Sequence, residues 1–196
     1  MLNLFILISY YFATAISLIG YGIFFNKFFF KQKELDFGYC GLYGIYLLII
    51  YSYISNYFLA HSLGHNLLIL VVGISLFFYF TFNSFKFYKK NIILSLIILL
   101  ILSLGLLIEK NHDDFSYYHF PYTYYLTQND FYVGIGKFGH GLRTPSSIFY
   151  LNSLFALPYI EYFSFNFGQI FIMGFVNIIF LNKIIKYLDQ YNSYNN

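Results

Sequence analysis

The chain has 196 residues, of which 59% are hydrophobic and only 10% charged, with a net charge of +3. A soluble domain carries roughly 25% charged residues, and the eleven Lys and Arg with eight Asp and Glu of this chain cannot coat a globule of its size. The composition excludes a water-soluble fold, and the sparse basic residues, set at the ends of apolar runs, exclude a nucleic-acid surface and read as topology determinants.

A membrane-spanning helix needs about 20 mostly apolar residues. The first candidate is Leu2–Phe25, too long for the apolar core of a cleavable signal and with no basic segment before it. It ends at Lys27, Lys31, Lys33, Glu34 and Asp36. The second is Gly38–Ala60, with Gly41 and Gly44 as points of close helix approach. A polar break, His61–Asn66, connects it to a third span at Leu67–Phe82, with room to start a few residues earlier. The tight connection predicts an antiparallel hairpin. His61 and His65, four residues apart, read as polar interfacial residues. Lys86, Lys89 and Lys90 follow, then the fourth span, Ile92–Ile108. Cys40 is the one cysteine, so no internal disulfide can form.

The character changes at Glu109–Pro145. This stretch holds Glu109, Lys110, Asp113, Asp114, Asp130, Lys137 and Arg143, with His112, His119 and His140, and a glycine-rich run at Gly134, Gly136, Gly139 and Gly141. Phe115–Thr127 is dense in Tyr and Phe, as suits a helix in the headgroup zone, and Pro121 can start or kink it. Ser146–Ile160 is short, and Phe163–Leu181 is long enough to span. A polar tail, Asp189–Asn196, closes the chain. The division is a four-helix transmembrane region, 1–108, an extracytoplasmic loop with interfacial helices, 109–161, and a last transmembrane helix with a cytoplasmic tail, 162–196.

The lysine bias puts the first and third loops in the cytoplasm and the N-terminus outside. Lys183 and Lys186 obey the same rule only if Ser146–Ile160 lies along the membrane instead of crossing it. The expected fold is therefore all-α, a polytopic transmembrane helical bundle of about five spans with one or two membrane-surface helices in the outer loop. The expected location is a bacterial inner membrane, with the C-terminus in the cytoplasm.

Chemistry concentrates in the outer loop. Asp113 and Asp114 are adjacent carboxylates, and mutual repulsion suits one of them to take a proton from a hydroxyl. The competing reading is a solvated loop that caps the following helix. His112, Asp113, Asp114 and His119 could also take a divalent cation, though no recognised metal-binding signature accompanies them. Arg143, the single arginine, has the planar fork that grips phosphate, whether of a ligand or of headgroups.

The order of an apolar span, Asp113-Asp114 with Tyr117-Tyr118 soon after, a Gly-rich segment, and Arg143-Thr144-Pro145 leading to Phe149-Tyr150 resembles the N-terminal region of GT-C fold glycosyltransferases, of the protein mannosyltransferase-like and aminoarabinose transferase-like group. Some uncharacterised bacterial membrane proteins linked to surface polysaccharides look similar in the same stretch. The resemblance covers roughly residues 92–181. It implies a carboxylate, Asp113 or Asp114, as base on an acceptor hydroxyl that attacks a polyprenyl-phosphate-linked sugar. Tyr117, Tyr118 and His119 would bind substrate, Arg143 would stabilise the phosphate leaving group, and no cofactor is implied. Here three spans precede the expected first one, and Ser146 stands where the family has a second proline. The many later spans that complete the family's donor cavity do not follow, so the expectation is an N-terminal portion or a chain that pairs with another membrane subunit. The alternative is a non-enzymatic membrane subunit whose outer loop binds a partner protein or lipid.

Overall fold

The computed structural model describes residues 4–31, 36–82, 85–107 and 114–194. Among them are seven α-helices and no strand: α1 (Leu4–Phe25), α2 (Phe37–Asn56), α3 (Leu63–Thr81), α4 (Phe85–Ser103), α5 (Phe120–Gln128), α6 (Ser147–Ser153) and α7 (Phe167–Tyr194). Four helical stretches are long and apolar enough to cross a membrane, Leu4–Phe30, Phe37–Asn56, Leu63–Thr81 and Glu161–Tyr191, and Ile92–Leu106 is a shorter apolar helix. The all-α bundle is thus as expected. The surfaces of these helices carry Leu68, Val71, Leu100 and Ile101, all exposed, and apolar faces of this extent on long helices belong in lipid.

Local chemistry sets the helix ends. The Asp36 carboxylate accepts from the backbone N–H groups of Gly38, at 2.8 Å, and Tyr39, at 3.4 Å, so α2 starts where the apolar run meets an acid. Ser62 accepts from the His65 N–H at 3.5 Å and starts α3 at Leu63. α1 runs into a π-helical turn, Asn26–Phe30, which Lys31 closes in the left-handed conformation, φ 53°, donating its N–H to the Asn26 carbonyl. α7 continues helically to Tyr194 through residues expected to form a polar tail. α6 has 7 residues, far short of the roughly 20 a span needs.

α1 lies between α2 and α3. Gly22 packs on the Cys40 carbonyl and Gly44 on the Leu18 carbonyl, so α1 and α2 touch backbone to backbone; Gly20 meets the Gly73 carbonyl on the α3 side. Missing side chains permit this approach. α2 and α3 are antiparallel, with Phe37 near Phe77 at 6.1 Å and Tyr51 near His65, but α1 is the close neighbour of both. The hairpin expected from the short loop is therefore splayed around α1.

α7 covers α2 and α4. The Phe175 ring fills the notch at Gly41, and Ile179 sits beside Gly38. Tyr11 joins three helices: its ring stacks on Phe171 at 4.9 Å and its hydroxyl donates to the Leu99 carbonyl at 3.1 Å. α1, α3 and α7 run one way, α2 and α4 the other. One end of the bundle therefore gathers Lys27 (Nζ 4.4 Å from the Phe80 ring), Asp36 (bonded by Asn182 at 3.1 Å) and Lys183, near the Tyr39 ring. The other end holds the α2–α3 loop, α5 and α6.

Candidate functional site

At the second end, a π-helical turn, Phe115–His119, leads into α5, with Pro121 in the first turn. A proline is tolerated there because the N–H it lacks has no intrahelical acceptor. α5 packs on α6 through aromatic rings. His119 and Phe149 are 5.0 Å apart, Tyr118 and Phe149 6.1 Å, Tyr122 and Phe149 5.7 Å. The Tyr150 and Tyr122 hydroxyls bond each other, and burial pushes both above the ordinary tyrosine range. Both stay protonated at neutral pH, one hydroxyl donating to the other, and neither acts as a base. Tyr53 of α2 stacks on Tyr150 at 4.1 Å and ties this layer to the bundle.

The expected site residues are divided. Asp113 lies outside the described residues, as do Glu109, Lys110 and His112. Asp114 is partly exposed at the start of the π turn. Tyr118 and His119 are partly buried against Phe149, whereas Tyr117 is exposed. Gly141 packs on the Tyr117 carbonyl, so the glycine-rich segment touches the tyrosine pair, and a side chain at position 141 would collide with it. Arg143, in the same segment, is exposed and donates from Nε to the Gly136 carbonyl at 2.9 Å. Among the described residues no three His, Cys, Asp or Glu side chains come together as a metal site.

A groove of about 670 Å³ runs along a second face of α5, lined by Tyr117, Pro121, Tyr124, Gln128 and, across it, Gly139 and Leu142. It is wide open and mostly apolar. The aromatic loop thus presents two faces, one packed on α6 and one open.

Sequence reasoning missed the most constrained polar group at this end. His61 is fully buried within the protein. Its Nδ1 is 2.6 Å from Ser153 Oγ and its Nε2 2.9 Å from Ser55 Oγ. Asn66, also buried, donates from Nδ2 to the carbonyls of His61, Ser153 and Ala156 at 2.8–2.9 Å. Its Oδ1 is 3.1 Å from His65 Nδ1, and His65 Nε2 is 2.7 Å from the Tyr51 hydroxyl. The His61 N–H donates to the Leu126 carbonyl of α5. This knot joins the α2–α3 loop to α5 and α6, segments far apart in sequence. The available signal was a cluster of two His and an Asn in an otherwise apolar hairpin, since polar groups kept in a membrane protein have partners.

Burial, with the nearby His65 as second cause, holds the His61 imidazole down to about 3. A neutral ring beside a serine hydroxyl is the contact used to activate a nucleophile. Here His61 and Ser153 both have 0% exposure, so no substrate reaches them, and the arrangement acts as a clasp. Beside it, Asn152 accepts from the Gly168 N–H at 2.9 Å and donates to Gln169 Oε1 at 3.1 Å, fixing the turn from α6 into α7. Compared with protein-family models, with curated proteins and with solved structures, the chain matches none.

Proposed function

We propose that this membrane protein carries the outer-face elements of a polyprenyl-phosphate-sugar-dependent glycosyltransferase, with its lysine-bearing end in the cytoplasm. The supporting observation is the packing of the two segments that carry the resemblance: Tyr118 and His119, just after the acidic pair, lie against Phe149, just after Arg143-Thr144-Pro145. A site assembled from both segments needs them side by side. In this reading Asp113 or Asp114 takes the proton of the acceptor hydroxyl, whose oxygen then attacks the anomeric carbon. The bond to the lipid phosphate breaks, and the Arg143 guanidinium neutralises the departing phosphate. Tyr117, Tyr118 and His119 flank the sugar. The lipid donor reaches the site through the bilayer, and a second membrane subunit is a natural partner.

The orientation rests on Lys27, Lys31, Lys183 and Lys186, which share an end of the bundle, since cytoplasmic loops are enriched in Lys and Arg. The test is glycan transfer in cells carrying Asp113→Asn, Asp114→Asn or Arg143→Gln. The expected result is loss of transfer in at least one Asp variant and in the Arg variant, with insertion and abundance unchanged. Full transfer by both Asp variants removes the base role and with it this reading.

A further inference from the structure

The α5–α6 end exposes apolar side chains in its loops, where no helical face requires them. Phe58, after α2, is 73% exposed, and Val133 and Phe138, after α5, are 80% and 77% exposed, with Tyr57, Phe131 and Tyr132 exposed beside them. In water a patch of this kind marks a surface that something covers.

The two loops form one patch because they are bonded to each other. The Phe131 N–H donates to the Asn56 carbonyl at 2.8 Å, and Asn56 Nδ2 donates to the Asn129 carbonyl at 3.1 Å. The Phe131 ring stacks on Tyr57 at 5.4 Å, and the Tyr132 and Phe138 rings are 6.3 Å apart. Gly134, with φ 86°, turns the loop between Val133 and Phe138.

What covers the patch follows from its neighbours. On α2, Ile50 and Ile54 are exposed, and with Tyr57 and Phe58 they follow helical spacing, so the lipid-facing row of a span runs directly into the patch. Lys137 and Arg143 are exposed in the same loop. Aromatic rings beside cations, at the end of a spanning helix, match the headgroup zone, where amphipathic rings settle and cations meet phosphates. We propose that this two-loop patch is a membrane-interface anchor: its rings sit in the headgroup zone of the bilayer that α2 crosses and hold the α5–α6 layer down on the lipid surface. The anchor does not depend on the transferase reading.

The chain contains no tryptophan, so Val133→Trp and Phe138→Trp each introduce a single tryptophan, excited selectively beyond the tyrosine absorption band, at a position where an exposed side chain is replaced. The full chain is reconstituted into phosphatidylcholine–phosphatidylglycerol vesicles whose acyl chains are brominated near the headgroup. Leu68→Trp, on the exposed face of α3, is the lipid reference. For either variant that keeps the melting temperature of the unsubstituted chain, the expected bromolipid quenching is at least about half that of the reference. Absence of bromolipid quenching overturns the anchor. Concurrent iodide quenching would then show the patch in water, and protection from iodide would show it covered by protein.

Discussion

His61 Nδ1 and Ser153 Oγ, 92 residues apart in the chain, lie 2.6 Å from each other with both residues fully buried. This contact fixes the α5–α6 layer to the spanning helices. A polar contact buried this deeply is strong only while every member keeps a partner, because the same low dielectric that strengthens a bond penalises an orphan.

Asn66→Leu should therefore be more damaging than its volume suggests. It removes the donor shared by three buried carbonyls and the acceptor of His65. Each buried polar group left without a partner costs about 1–3 kcal/mol. Melting in detergent, followed by protease access to the α5–α6 layer, should show a loss of about 2 kcal/mol or more. An unchanged melting curve would mean that the clasp carries no stability.

Acid should loosen the same clasp. The unfolded imidazole of His61 titrates near 6.5 and the folded one near 3, chiefly because of burial. Between those values the unfolded chain binds a proton that the folded chain does not. The stabilisation is complete above about pH 6.5 and falls as pH drops through the window, by at most about 1.4 kcal/mol per pH unit. Melting temperatures measured from pH 7 to pH 4.5 should decline more steeply for the unsubstituted chain than for His61→Gln. Parallel declines would show that His61 is not the group responsible.

The glycines at the α1–α2 contact and the glycine near the start of α3 differ sharply in environment. Gly22→Ala and Gly44→Ala each drive a methyl group into a backbone carbonyl, of Cys40 and Leu18 respectively. Overpacking of this kind costs about 1–3 kcal/mol. Gly64 has no atom within 4 Å of the added methyl, so Gly64→Ala should be neutral or gain up to about 1 kcal/mol. Equal melting temperatures for all three variants would contradict the close approach of α1 and α2.

Topology is open to a direct test. Cys40 is buried, and Cys40→Ala supplies a background without thiols. Single cysteines replacing Asn129 and Tyr191, both exposed, should react with an impermeant maleimide from opposite sides of the membrane, Asn129 from outside. Labelling from one side would break the bundle arrangement as well as the orientation.

Composition and the lengths of the apolar runs were sufficient to read a membrane bundle, because lipid imposes a length and a polarity on any helix that crosses it. The first candidate, Leu2–Phe25, became α1 at Leu4–Phe25, and the lysine pattern already argued against a span at Ser146–Ile160. Gly41 and Gly44 were readable as approach points, though not which helices would use them. The order of packing was not readable, since α2 and α3 are equally apolar whether they meet each other or flank α1. Nor was the burial of His61 and Asn66. Their partners Ser153 and Ala156 lie about ninety residues on, and only the folded chain decides whether a polar side chain meets a carbonyl or water. Local sequence thus determined which segments leave water, and long-range contact decided which polar groups went with them.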